Sequence, residues 1–351
     1  MKISSHNHWD PLEEIIVGTA TGARMANIDI STHSMVYTEY SQEQIKGLEG
    51  PFPKALIDEA NEDLEVMSDT LKSLGVIVHR PKDINHDAEF GTPDWKTSGY
   101  HTWCPRDLLL PLGNIMIETP SCMRARYFET RAYHDIMLDA IKDGCAWVSA
   151  PKPILPDESY TFEDLSKPTL RDLEPVFDAP NCVRLGKDIL FQISNTGNKW
   201  GMKWLKNLLE PLGYRIHMAE HIYSFGHFDS TIIPLNDHTV LLNSSRVNPN
   251  NCPKIFEKWD KIYFDDVVEI PVSKWCPGGL ATTSRFIGMN VLSVDPKTIM
   301  VGKEQLPLIK MLESRGFDVI PLPMRHASTL SGGFHCTTLD LRRRGELLDY
   351  S

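Results

Sequence analysis

Three times along this chain a helical run closes on a Leu-x-x-x-Gly step and passes at once into a short apolar strand. That recurrence limits the fold more than any other feature. The three are Leu71-Lys72-Ser73-Leu74-Gly75 into Val76–Pro81, Leu209-Glu210-Pro211-Leu212-Gly213 into Tyr214–His217, and Leu312-Glu313-Ser314-Arg315-Gly316 into Phe317–Pro321. Each glycine suits the left-handed conformation that ends a helix. Pairs of apolar runs split by turn residues also recur: Leu108–Pro111 with Ile115–Glu118 across Gly113-Asn114, Thr231–Pro234 with Thr239–Asn243 across Asn236-Asp237, and Val291–Val294 with Thr298–Val301 across Asp295-Pro296-Lys297. Such runs read as hairpins. A strand–hairpin–helix–strand unit of roughly 40–60 residues, repeated about five times, predicts a closed ring of small mixed α/β sheets. The competing reading is an ordinary two-domain α/β protein in which the hairpins coincide by chance. Ring closure protects edge strands and brings loops from every unit to one centre. A site in such a fold would draw on residues scattered over the whole chain, and residues 1–351 would form one domain.

Composition narrows the partners. Acidic residues outnumber basic ones, 47 to 36, for a net charge of −11, and the one basic cluster is Arg342-Arg343-Arg344. Nucleic acid is therefore not an expected partner. No apolar run nears the roughly 18 residues that span a bilayer, and Met1–His6 carries no signal-peptide pattern, so no membrane association and a cytoplasmic location are expected. The 7 cysteines are widely spaced and odd in number, with no Cys-x-x-Cys pair, which argues for reduced thiols rather than a disulfide framework or a zinc ribbon.

One cysteine stands apart. Cys336 follows Ser331-Gly332-Gly333-Phe334-His335, where two glycines permit close backbone approach. In that setting it is a candidate nucleophile, whereas the other six read as packing residues. A thiol nucleophile needs a base, and Gly226-His227-Phe228-Asp229 offers His227 and Asp229 at i, i+2, on one face if the segment is a strand. Further carboxylates stand at Asp178, in Glu174–Ala179, and at Asp107, in Cys104-Pro105-Arg106-Asp107. A zinc site at His227 and Asp229 lacks local third and fourth ligands. Carboxylates around a thiol raise its pKa, which is unhelpful unless the substrate brings a cation. A planar guanidinium answers that requirement, since carboxylates hold it by paired hydrogen bonds. The residues thus point to chemistry on a guanidino carbon.

The same segments carry a family resemblance. Asn7–Glu14 with Val17-Gly18, Thr92–Trp95, Cys104–Asp107, Arg124–Glu129, Glu174–Ala179, His227–Ser230, Met289–Leu292 and Gly332–Cys336 with Arg342-Arg343 occur in an order that resembles the amidinotransferase family over essentially the whole chain. The resemblance implies a pentein-like, five-bladed α/β propeller with pseudo-fivefold repeats. It implies transfer of an amidino group from L-arginine to an amine with release of L-ornithine, no metal and no organic cofactor, and a possible homodimer as the assembly. By position, Cys336 falls on the nucleophile, His227 on the general acid/base, Asp178 on its carboxylate partner, and Asp107 with Asp229 on the guanidinium clamp. Arg246 and Ser284, with Thr283, fall on the carboxylate-binding positions, although Ala281–Arg285 departs from the family's usual wording. Ser224 and Gly226, ahead of His227, suggest a pocket for an amine larger than glycine. A guanidinium-alkaloid precursor of the saxitoxin type is the acceptor expected, ahead of an inosamine phosphate. A hydrolase with water as acceptor, or a non-catalytic binding module, are the other classes open.

Overall fold

The computed structural model describes residues 1–350. Five three-stranded sheets share one plan, a central strand with one antiparallel and one parallel neighbour. In the second to fifth sheets the antiparallel pair is a hairpin: Leu109–Leu112 with Ile115–Glu118, Cys182–Leu185 with Asp188–Phe191, Ile232–Pro234 with Thr239–Asn243, and Leu292–Ser293 with Thr298–Gly302. Each hairpin's second strand then takes a parallel partner, in turn Ala146–Ser149, Arg215–Met218, Asp260–Phe264 and Asp318–Leu322. In the first sheet the central strand Leu12–Val17 pairs with Ile77–His79 in parallel and with Thr338–Arg343 antiparallel, so both ends of the chain meet in one sheet.

A parallel pairing needs a crossover, and helices supply it. Lys54–Ser73, His134–Lys142, Lys199–Leu209 and Leu306–Ser314 precede the parallel strands of four sheets, while the crossover before Asp260–Phe264 has only the 3₁₀ turn Lys254–Phe256. The glycines that close the Leu-x-x-x-Gly steps have φ of 84° at Gly75, 90° at Gly213 and 85° at Gly316. A Cβ at any of them would meet nothing within 4 Å, so what selects glycine there is the left-handed backbone, not crowding. Strands Leu109–Leu112, Cys182–Leu185 and Thr239–Asn243 are buried along their full length, which explains near-continuous apolar runs in place of strict alternation.

Buried charge ties separate sheets together. Asp340, on the C-terminal strand, meets Arg106 at 2.7 Å, Arg184 at 2.8 Å and Arg343 at 3.0 Å, all four side chains essentially buried. Arg184 lies on the strand Cys182–Leu185 and Arg106 in the 3₁₀ turn Pro105–Asp107, so one carboxylate links segments remote in sequence. Removing one member of such a group leaves uncompensated charge in low dielectric, which is the costly case. Among the described residues no helix is long and apolar enough to cross a membrane.

Candidate active site

The loop that carries Cys336 is shaped by its two glycines. A Cβ on Gly332 would lie 2.4 Å from Cys104 Sγ and 3.0 Å from Cys336 Cβ, and one on Gly333 would lie 2.9 Å from Asn290 Cβ. No other residue allows that approach without displacing the thiol. Hydrogen bonds pin the loop from outside: Trp103 Nε1 donates to the Gly332 carbonyl at 3.1 Å and Arg106 Nε to the His335 carbonyl at 2.7 Å. Asn290 closes it from the other side, accepting the Cys336 N–H on Oδ1 at 3.0 Å and donating from Nδ2 to the Asp229 carbonyl at 3.3 Å. Asn290 has no reactive group of its own and went unassigned in the sequence reading. Its signal is the Met289–Leu292 motif, whose role shows only when two loops meet.

Around the thiol the chain gathers His227, Asp178, Asp107 and Asp229, residues separated by up to two-thirds of the sequence. Cys336 Sγ lies 3.2 Å from Asp229 Oδ2. His227 is held between two carboxylates, with Nε2 2.9 Å from Asp178 Oδ2 and Nδ1 3.5 Å from Asp107 Oδ1. The i, i+2 reading of His227 and Asp229 as strand neighbours does not hold, because both lie in a non-strand loop ahead of Ile232–Pro234. They reach one centre because the loop folds over it. Asp107 is also less free than expected: Arg126 Nη1 donates to its Oδ2 at 2.5 Å, and Arg126 in turn grips Glu129 at 2.7 and 2.8 Å. What stays without a hydrogen-bond partner is Oδ1 of Asp107 and Oδ1 of Asp178, both buried. Carboxylates with oxygens still free to accept suit a donor-rich planar cation.

The electrostatics follow from this packing. Burial opposes charge on His227, yet Asp107, the hydrogen bond to Asp178 and the contact with Cys336 raise its pKa well above the ordinary value. Contact with the Cys104 thiol, burial and the Asp229 charge all push the Cys336 thiol up, and His227 pulls it only partly back. Burial works against the Asp229 charge too, but the hydrogen bond from His335 and the field of His227 hold its carboxyl below the usual range. The resting site therefore favours a neutral thiol beside an imidazolium, and a bound cation would shift the thiol toward thiolate.

A solvent-open cavity leads to this group. Cys336, His227 and Asp229 line it together with Thr283, Ser284, Ser224, Gly226 and Glu39. Arg246 sits behind Ser284, donating from Nη2 to Ser284 Oγ at 3.2 Å and from Nη1 to Thr231 Oγ1 at 2.8 Å. Burial lowers its pKa to about 10, which still leaves it cationic at neutral pH. A Cβ on Gly226 would meet only Thr196 Cγ2, at 4.0 Å, so there is room beside that residue. Among the described residues lining the cavity there is no Lys or Arg. All seven cysteines are free, and of the six other than Cys336 only Cys252 is not buried, in keeping with packing roles.

Comparison with known proteins gives the site a context. No family model matches the chain. It is 45% identical to an inosamine-phosphate amidinotransferase of Streptomyces glaucescens over 350 residues, covering 99% of each chain. The solved inosamine-phosphate amidinotransferase of Streptomyces griseus superposes with a TM-score of 0.95 at 44% identity, again over 99% of each chain. An amidinotransferase from Microseira wollei in the saxitoxin biosynthetic pathway superposes at 0.89 with 36% identity, over 99% of each. A dimethylarginine dimethylaminohydrolase, 13% identical, superposes at 0.58 over 93% of this chain and 99% of its own, a likeness of fold alone that agrees with an α/β pentein fold.

Proposed function

The chain belongs to the amidinotransferase family and is an amidinotransferase, and from that premise we propose that it moves the amidino group of L-arginine, through Cys336, to a primary amine of a secondary-metabolite intermediate. The observation that carries the reading is Cys336 Sγ 3.2 Å from Asp229 Oδ2 in one cavity with His227, itself held between Asp107 and Asp178. Arginine enters with its guanidinium on Asp107 and Asp229 and its carboxylate toward Arg246, Ser284 and Thr283. The cation stabilises the Cys336 thiolate, the thiol proton leaves to solvent because His227 already carries its own, and sulfur attacks the guanidino carbon. As the bond from that carbon to the side-chain nitrogen breaks, His227, oriented by Asp178, gives its proton to the departing ornithine amine. Ornithine leaves, and the acceptor amine attacks the amidino-cysteine while His227 takes a proton back. One site used twice makes the kinetics ping-pong.

The acceptor is a larger amine than glycine, a reading supported by the room beside Gly226 in the cavity. A guanidinium-alkaloid precursor of the saxitoxin type is favoured by a cavity lining that carries Glu39 and Asp229 but no Lys or Arg to neutralise a phosphate. An inosamine phosphate is the second reading, favoured by the higher identity to that branch, 45% against 36%. We further read the five sheets as blades of a five-bladed propeller and residues 1–351 as one catalytic domain; the pairing of Leu12–Val17 with Thr338–Arg343 supports both. A homodimer is the assembly to test by light scattering. Incubation with arginine and a panel of amines, reading ornithine and amidinated product together, decides the function. Ornithine in step with one amidinated amine supports transfer; citrulline or urea without amidinated amine makes water the acceptor and refutes it.

A further inference from the structure

Behind the thiol, Asp229 continues into two imidazoles that the reaction scheme leaves idle. His335 Nδ1 lies 2.8 Å from Asp229 Oδ2, His335 Nε2 lies 3.2 Å from His8 Nδ1, and the backbone N–H of Arg184 donates to His8 Nε2 at 3.0 Å. The last contact fixes the direction of the others. An amide N–H can only donate, so His8 Nε2 is unprotonated and the proton of His8 sits on Nδ1. His335 Nε2 must then accept that proton's hydrogen bond, which leaves the His335 proton on Nδ1, aimed at a carboxylate that can only accept. Every link from the Arg184 amide to Asp229 runs the same way. The Arg184 guanidinium, also donor-only, stands 3.3 Å from the His8 Nδ1 that this direction protonates, and is a contact of like polarity rather than a link in the relay.

The arrangement also excludes a second proton on either ring. On His335 it would face the Nδ1–H of His8 across 3.2 Å, and on His8 it would face the Arg184 amide across 3.0 Å. The surroundings agree with this. Arg106 donates to the His335 carbonyl, Arg184 Nη2 stands 3.3 Å from His8 Nδ1, and these two guanidiniums with Arg343 share the single carboxylate of Asp340. Burial and then Arg106 lower His335 to about 4, although Asp229 opposes them, and burial and then Arg184 push His8 well below its ordinary value.

We infer that His8 and His335 are positioning residues for the transfer: a neutral, one-way imidazole pair that fixes the Asp229 carboxylate against Cys336 and the incoming guanidinium. The inference rests on the reading of Asp229 as part of the guanidinium clamp. It also gives the N-terminal Asn7-His8-Trp9 segment a task at a centre from which it is remote in sequence. Asp229 Oδ2 receives both the His335 proton and the Cys336 thiol, so Oδ1 lies outside both contacts.

Two amide replacements separate positioning from mere filling of space. The side-chain amide of His335→Asn sits where Nδ1–H was and keeps the donor to Asp229, whereas His335→Gln carries its amide to the Nε2 position and loses it. The glutamine variant is expected to raise KM for arginine about tenfold or more, the loss of one charge-assisted hydrogen bond, with a smaller fall in kcat. The asparagine variant is expected to stay within about threefold of the unmodified protein. Equal KM rises in both would overturn the inference. Imidazole 15N shifts of the unmodified protein give a readout that does not depend on turnover: both rings are expected as neutral Nδ1–H tautomers at neutral pH, and an Nε2–H tautomer or an imidazolium on either sinks the pair. The amidino adduct on Cys336, followed in parallel, tells the two failures apart. Its absence from the unmodified protein would refute the transfer scheme, while its presence with indifferent His335 variants would refute only the positioning role.

Discussion

Replacing Asp178 by Asn tests the acid half of the reaction while changing little else. Asp178 is fully buried, and its Oδ2 lies 2.9 Å from His227 Nε2. At an effective dielectric of about 20, a unit pair at that separation is worth roughly 6 kcal/mol before desolvation. Breaking a buried pair by removing one partner typically costs about 3–5 kcal/mol. If that loss falls on the transition state, where His227 must hold and then release a proton, kcat/KM for arginine falls by about 10²–10⁴. Asp107, at 3.5 Å from Nδ1, keeps part of the field in place, so activity is reduced rather than abolished. The same change lowers the pKa of His227, since the carboxylates are what raise it against burial. The alkaline limb of the pH–rate profile, which reports loss of the imidazolium, should therefore move to lower pH. The assay is single-turnover ornithine release across pH, with a melting curve to establish that the variant folds. A folded D178N enzyme within threefold of the parent, with an unmoved alkaline limb, would refute the role given to the pair.

Two further outcomes are expected. Arg246→Ala should raise KM for arginine by about 10- to 100-fold through loss of a charge-assisted carboxylate contact. It should also erase any preference for arginine over agmatine, which lacks the carboxylate; a preserved preference removes Arg246 from that role. Stability should fall on mild acidification because His86, 4% exposed, is lowered by burial and then by Arg126 from 6.5 to about 4. Its folded pKa lies below its unfolded one, so the unfolded chain binds more protons between those values. The contribution is intact above pH 6.5 and is lost as pH falls toward 4, about 2 kcal/mol of it by pH 5. Urea unfolding at pH 7 and 5 should show a loss that His86→Gln reduces by that amount; an identical acid loss in the variant contradicts the assignment.

Local turn chemistry made much of the fold readable. The hairpins at Gly113-Asn114, Asn236-Asp237 and Asp295–Lys297 and three helix-ending glycines stand where they were expected, because each is a backbone requirement written in one or two residues. The hairpin Cys182–Phe191 was missed: its strands are wholly buried, and only Gly186, at φ 64°, marks the turn. The helix His134–Lys142 ends at Gly144, φ 88°, without the leucine step that marked the others. The first sheet joins Leu12–Val17 to Thr338–Arg343, and no local pattern reports a pairing between the two ends of a chain. At the site, residue chemistry singled out Cys336, His227 and the aspartates, but not their supports. Asn290, Arg126 and His8 act through hydrogen bonds to partners far away in sequence, and neither spacing nor residue type signals those bonds.

The central claim is a covalent amidino group on Cys336, and intact-mass analysis after mixing with arginine alone tests it most directly. The account predicts one added amidino group per chain, located on the Cys336 peptide, with an equivalent of ornithine released. The group should then vanish when an acceptor amine is supplied and should never form in Cys336→Ala. Ornithine released on addition of arginine and acceptor with no adduct trapped at any time, or a Cys336→Ala protein that still transfers at near the parent rate, would contradict it.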